Sequence, residues 1–259
     1  ERFYVANPVW QSNRASLMTG RMPSLHGVRN NGIPLSYDQV TFVELLADAG
    51  YHTGLMGKSH LQNMTGLPPI QKFETVAGKT PPPEALREAN RRLLSGPEYD
   101  IENTRLWSDP AHDVRLPFHG FREARICTGH GDEVGGDYRR WLEAKQPGGA
   151  SLIGEEAALP DQRRIAPQAW RTAVPEELYP TTYVKELSCD FIERHAASGG
   201  DNPFFLQVSF PDPHHPFTPP GKYWDMYDPD DMVLPASFDK GDLVPLQWMR
   251  EQLVAGTAE

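Results

Sequence analysis

Gly57-Lys58-Ser59-His60-Leu61 carries the plainest chemistry in the chain. Lys58 and His60 stand two residues apart just past a predicted strand, Tyr51 to Met56, and open α/β sheets bind ligands at the carboxyl ends of their strands. From there they project to one side, a fixed cation and a proton donor aimed at one anion. A second predicted strand, Pro203 to Phe210, is a mostly apolar run suited to burial on both faces. It delivers Pro211-Asp212-Pro213-His214-His215-Pro216-Phe217, in which three prolines stiffen the loop and reduce the entropy lost when a side chain is fixed on a ligand. Neighbours in an extended loop point in opposite directions. His214 and His215 are therefore not expected to share a metal, and His215 reads as a packed or solvent-facing neighbour.

The opening stretch, Asn7-Pro8-Val9-Trp10-Gln11-Ser12-Asn13-Arg14-Ala15-Ser16-Leu17-Met18-Thr19-Gly20-Arg21, reads as strand, sharp turn and short helix. Pro8 biases Asn7 towards extended backbone, Ser12 or Asn13 offers a helix cap, and Gly20 is placed to end the helix. Such a turn presents a nucleophile beside backbone N–H donors, and Arg14 is a candidate buried cation within it.

These motifs resemble the sulfatases, in the alkaline-phosphatase superfamily, closest to the arylsulfatase and phosphonate monoester hydrolase branch. Their signature reads Cys-x-Pro-Ser-Arg-x-x-x-x-Thr-Gly-Arg. Arg14 falls on its first arginine, and Thr19, Gly20 and Arg21 on its close. Met22 to Val28 is similar to the family's continuation, Gly57 to Leu61 to its Gly-Lys-x-His-Leu, and His214 to the histidine of its His-x-Pro. The family's cysteine, oxidised to formylglycine to become the nucleophile, falls on Trp10; its proline falls on Ser12 and its serine on Asn13.

The resemblance implies an alkaline-phosphatase-like α/β fold, a mainly parallel central sheet with helices on both faces. It implies metal-assisted nucleophilic displacement at sulfur or phosphorus, on a sulfate, phosphonate or phosphate ester of a small molecule or saccharide. Arg14 positions the nucleophile and offsets charge, Lys58 and His214 hold the sulfuryl oxygens, and His60 assists proton transfer. The divalent metal, usually calcium, draws on ligands mostly outside this stretch, and no metal ligand is assigned within it beyond the position of Trp10. An indole has neither a nucleophilic oxygen nor a lone pair for a metal, and it fills volume a sulfate needs. As written the chain is expected to be inactive, either as a relative that kept the fold or through one-base changes of Cys and Pro codons to Trp10 and Ser12. The competing expectation is a non-catalytic protein that binds sulfated or phosphorylated ligands. The chain also lacks the family's earlier strand of paired aspartates and its later metal strand, so it is expected to be an internal piece of a longer enzyme, folded as one domain over 1–259 with a variable substrate-loop region at about 62–180.

Two further histidines stay open. His26 lies in a glycine- and proline-punctuated loop and either contacts substrate or braces the loop. His130 sits in Gly129-His130-Gly131-Asp132, a turn past a predicted strand Arg122 to Cys127, and either lines the pocket or bonds within the turn.

The remaining elements are scaffold. Helices are predicted over Thr41 to Ala49 with Phe42, Leu45 and Leu46 inward, Asp137 to Ala144 with Tyr138, Trp141 and Leu142 inward, and Thr181 to Ala197 with Val184, Leu187, Phe191 and Ile192 inward. Charged residues mark a wet helix over Pro83 to Leu94, and a last helix spans Leu243 to Val254. Gly148 to Pro175 reads as a surface insertion.

Twenty-five prolines in 259 residues, about twice the usual ~5%, indicate long ordered loops. A net charge of −10 argues against a nucleic-acid partner, so an anion site must be a local basic pocket in an acidic shell. No apolar run reaches the length of a membrane span. Cys127 and Cys189 read as buried free thiols, with a single bridge as the alternative, and leave the compartment open.

Overall fold

A computed structural model of the chain describes residues 4–67, 78, 94–162, 166, 168–199 and 202–236. The chain packs as two units, Glu1–Gly221 and Lys222–Glu259, and all the elements below belong to the first. The helices predicted at 83–94 and 243–254 lie, in whole or nearly so, outside the described residues.

Four strands form one sheet: β1 (His52–Gly57), β2 (Glu123–Thr128), β3 (Gly135–Gly136) and β4 (Phe204–Ser209). Their order is β3-β2-β1-β4. β1 runs parallel to both β2 and β4, and the short β3 is antiparallel to β2. The carboxyl ends of β1, β2 and β4 therefore share one rim.

Helices α1 (Trp10–Thr19), α2 (Pro23–His26), α3 (Phe42–Asp48), α4 (Asp137–Lys145) and α5 (Pro180–Ala197) flank the sheet. Ile126 of β2 packs in one buried cluster with Ala15, Met18, Val43 and Leu55, whereas the next residue, Cys127, packs in another with Tyr138, Leu142, Tyr183 and Val184. Successive strand side chains point to opposite faces, so α1 and α3 cover one face and α4 and α5 the other. This is the expected mainly parallel sheet with helices on both sides. Each large aliphatic side chain buried this way contributes roughly 1.5–3 kcal/mol.

Local chemistry explains most boundaries. Thr41 and Glu44 form a reciprocal capping box at the start of α3. Gly57 closes β1 at φ +109°, and a Cβ there would meet the Ser209 carbonyl oxygen at 2.0 Å. That close approach lets the Lys58 N–H donate to the same carbonyl at 2.9 Å.

Several expectations need correction. Residues 4–9 form no strand, and α1 starts at Trp10 with Val9 at its cap, so Ser12 and Asn13 are internal; the side chain that meets the helix entry is Asn7, which accepts from the Val9 N–H at 2.7 Å. In α3 the buried face is Val43 and Ala47, and Leu45 is exposed. In α5 Ile192 is exposed and Tyr183 takes an inward place. β4 is not buried on both faces: it is an edge among the described residues, with Phe204 and Val208 each 40% exposed. Cys189 is an exposed free thiol, and Cys127 a buried one. The 148–175 segment is only partly a surface insertion, since Trp170, Thr172 and Val174 are buried. No described helix is long and apolar enough to cross a membrane.

Candidate functional site

The parallel register brings three basic side chains from three strand ends to one place. Lys58 follows β1, His130 follows β2 by a turn at Gly129, and His214 follows β4. The His130 and His214 rings stack with centroids 3.5 Å apart and planes 14° from parallel. The Lys58 ammonium bonds Nε2 of His130 and donates to the Gly129 carbonyl at 3.4 Å. A charged lysine only donates, so His130 accepts through Nε2. Nδ1–H of His214 donates to its neighbour's carbonyl, on His215, at 2.5 Å, which leaves Nε2 of a neutral ring as an acceptor.

Trp10, the first residue of α1, closes the group. Its indole is perpendicular to His214 at 3.9 Å between centroids, 5.9 Å from His130, and 5.7 Å from the Lys58 ammonium.

The turn holding His130 is bolted in place by Asp132, which is fully buried. Its Oδ2 accepts from Thr172 Oγ1 at 2.6 Å, Trp170 Nε1 at 3.0 Å and the Gly154 N–H at 3.4 Å. Its backbone N–H donates to Thr218 Oγ1 at 2.8 Å, tying the turn to the chain just beyond His214.

Arg14 is engaged with the backbone beside this cluster. Its Nη1 donates to the carbonyls of Lys58 and Ser59, 3.0 Å each. The end of the opening motif is structural: Thr19 bonds the Ala15 carbonyl, Gly20 takes the left-handed cap, and Arg21 bonds Gln39 at the surface. His26 is buried with both ring nitrogens used, one against Ser16 Oγ at 2.9 Å and one accepting from the Val28 N–H at 3.1 Å. It braces the turn that follows α2 against α1.

His60 is buried at φ +56°, with Nδ1 lacking a partner. His215 does not turn away from His214: residues 212–216 bend, and the two rings lie 4.1 Å apart.

Burial controls the protonation states. It lowers Lys58 to about 7, and the charge of Arg14 adds to the effect while Glu102 opposes it. Burial, with Lys58 next, takes His60 and His130 each down to about 3. His214 is also lowered, chiefly by burial. At neutral pH the cluster is thus a half-charged ammonium among neutral imidazoles. It can offer a positive charge and the remaining ring N–H of a neutral His130 to an anion, whereas His214 presents an acceptor nitrogen; His60 cannot serve as a standing imidazolium.

The basic cluster is not itself a calcium site, and the calcium ligands that the resemblance implies lie mostly outside this stretch. Calcium takes oxygen ligands, and the groups that meet here are nitrogen bases, an ammonium and an indole. No set of three or more His, Cys, Asp or Glu side chains placed to hold a metal occurs among the described residues. Position 10 has no side chain that can become an aldehyde.

Sequence reasoning missed Glu102, a fully buried carboxylate bonded to the backbone of residues 60–62. It stands in no motif and left no signal.

A family model described as Sulfatase matches residues 1–236. The arylsulfatase of Clostridium perfringens (strain 13 / Type A) is 30% identical over 241 residues, which are 92% of this chain and 40% of that protein. The N-acetylglucosamine-6-O-sulfatase of Bacteroides thetaiotaomicron is 38% identical over 58 residues, 22% of this chain and 10% of that protein. The phosphonate monoester hydrolase SpPMH from Silicibacter pomeroyi superposes with a TM-score of 0.52 at 23% identity, covering 89% of this chain and 37% of that structure, a likeness of fold. The chain spans about two fifths of the length of the arylsulfatase and of SpPMH. With the family model matched over most of the chain and the motif-bearing strand ends meeting at one rim, the chain belongs to the sulfatase family.

Proposed function

We propose that Lys58, His130 and His214 form the recognition site for the sulfuryl group of a sulfate ester, or the equivalent group of a phosphonate or phosphate ester. We also propose that Trp10 keeps the site from turning its ligand over. The observation that carries this reading is the convergence of the three basic side chains, from three strand ends, against an indole at the family's nucleophile position. The ester's alcohol is a small aryl or saccharide group, in line with the names of the arylsulfatase and N-acetylglucosamine-6-O-sulfatase relatives.

Each preorganised donor in a dry site of this kind is worth about 3 kcal/mol to a developing anion. Binding needs the ammonium and the ring N–H of His130, and His214 donates as well only when an arriving anion brings a proton onto its Nε2. Hydrolysis needs an attacking oxygen as well, and losing a covalent nucleophile costs orders of magnitude that surviving anion contacts only partly recover. Arg14 acts on the ligand through the backbone of Lys58 and Ser59. The divalent metal of the family is no part of the anion recognition proposed for this cluster.

The test is titration calorimetry with phenyl sulfate and phenylphosphonate, alongside a hydrolysis assay with 4-nitrophenyl sulfate. The expected result is saturable binding of an anion without release of 4-nitrophenol, weakened at least tenfold in Lys58→Met. Absence of binding overturns the recognition site, and turnover by the unaltered chain overturns the role given to Trp10. If Trp10→Cys, matured and metal-loaded in the longer protein, hydrolyses neither ester class, the site's descent from a hydrolase is also overturned.

A further inference from the structure

Glu102 is 0% exposed, and its hydrogen bonds among the described residues are all to backbone. It accepts three consecutive backbone N–H groups. His60 donates to Oε1 at 2.5 Å, and Leu61 and Gln62 donate to Oε2 at 2.7 Å each. On the preceding two residues, Arg14 takes the carbonyls of Lys58 and Ser59. Five successive residues, 58–62, are thus held by their backbones between one guanidinium and one carboxylate.

The geometry of the loop explains why an acid is needed. His60 adopts a left-handed φ of +56°, which costs a non-glycine residue about 1 kcal/mol or more unless its surroundings enforce it. A turn of this kind aims successive N–H groups into one concavity that suits an anion. Elsewhere such concavities take phosphate; here the chain supplies its own carboxylate. Burial raises the Glu102 pKa, and the three backbone N–H bonds and then the charge of Arg14 oppose that shift, as a buried carboxylate requires. Glu102 in turn favours the charged form of Arg14 against the cost of burial.

The neighbouring segment is zipped to the same loop. Gln62 accepts from the Ile101 N–H at 3.0 Å and donates to the Glu98 carbonyl at 2.7 Å. Glu102 is therefore delivered to the loop by its own stretch of backbone and does not reach it from a free surface.

We infer that Arg14 and Glu102 are a matched pair of positioning residues. Together they set the backbone of 58–62 so that the Lys58 ammonium and the His60 imidazole are aimed before any ligand arrives. What the loop binds rests on the anion-site reading above; that it is clamped by this pair does not.

The test uses the full chain, labelled with ¹⁵N. In the unaltered protein the amide protons of His60, Leu61 and Gln62 are expected far downfield, as donors to a carboxylate. Glu102→Gln should move all three upfield and weaken phenyl sulfate binding at least tenfold at an unchanged folded fraction. Arg14→Gln should weaken binding similarly, and adding it to Glu102→Gln should cost less than twofold more, because the two act as a unit. Ordinary amide shifts at 60–62 in the unaltered chain, or a folded Glu102→Gln variant that binds within twofold of it, overturn the clamp. Should Glu102→Gln fail to fold, Glu102→Asp keeps the charge one methylene short and is expected to shift the three amides and weaken binding; unchanged shifts and affinity overturn the proposal. If the unaltered chain binds no phenyl sulfate, the anion-site reading fails by itself, and the amide shifts alone decide the clamp.

Discussion

The indole of Trp10 stands at 90° to the imidazole of His214 with 3.9 Å between ring centroids. It packs against the basic cluster while 42% of its surface stays exposed. The edge-to-face contact packs the indole directly on the His214 ring.

Trp10→Ala is expected to open the space that the indole fills. Inorganic sulfate should bind several-fold more tightly, with no ester turnover, since alanine supplies no nucleophile. The partial exposure of Trp10 limits the stability loss to about 1–2 kcal/mol. Calorimetry with sulfate and a urea titration check both. Weaker sulfate binding would show instead that the indole is a ligand contact.

Lys58 should make anion binding pH-dependent. Its ammonium, lowered to about 7 by burial and by Arg14, is charged below that value and neutral above it. Affinity for phenyl sulfate is therefore expected to be highest below about pH 7 and to fall as pH rises through it. Lys58→Arg, charged throughout, should flatten the profile. Stability runs the other way: between about 7 and the unfolded value near 10.5, the unfolded chain binds the extra proton, so stability rises with pH. Affinity measured from pH 5.5 to 9 for both proteins is the check.

His119 is a built-in source of acid sensitivity outside the cluster. It is buried beneath Tyr37, stacked at 4.3 Å, with Nε2 unpartnered, and burial takes it down to about 3. A histidine kept neutral in the fold contributes stability above its unfolded value near 6.5, and that stability is lost as pH falls towards 3. His119→Asn tolerates the left-handed φ of +47° and removes the titration. Unfolding free energies from urea titrations between pH 4.5 and 6 should show a slope shallower by about 1.4 kcal/mol per pH unit, from a lower starting stability. An unchanged slope would mean that His119 is already protonated in the fold.

Much of this molecule could be read without coordinates because its signals are local. An apolar run ending in Gly57-Lys58, Thr41 at a helix start, and Gly20 at a helix end each act within a few residues. Backbone sterics and neighbouring hydrogen bonds suffice to place them. Parallel β1 and β4 followed from the crossover helices between them, and with the strands came the shared rim on which Lys58 and His214 sit.

Other features depend on contacts between residues far apart in the chain, which no local pattern records. The stacking of His130 on His214 requires the register of three strands, and the Asp132 network that holds it joins residues up to 86 positions apart. Arg14 meets carbonyls 44 and 45 residues away, and Glu102 meets N–H groups about 40 residues before it. The inward faces of α3 and α5 were misjudged for the same reason: periodicity states that a helix has an apolar stripe, and only the neighbouring sheet selects which part of it is buried. Residue types alone name the charges that can hold an anion, but their protonation is a property of burial, which exists only once the chain has closed around them.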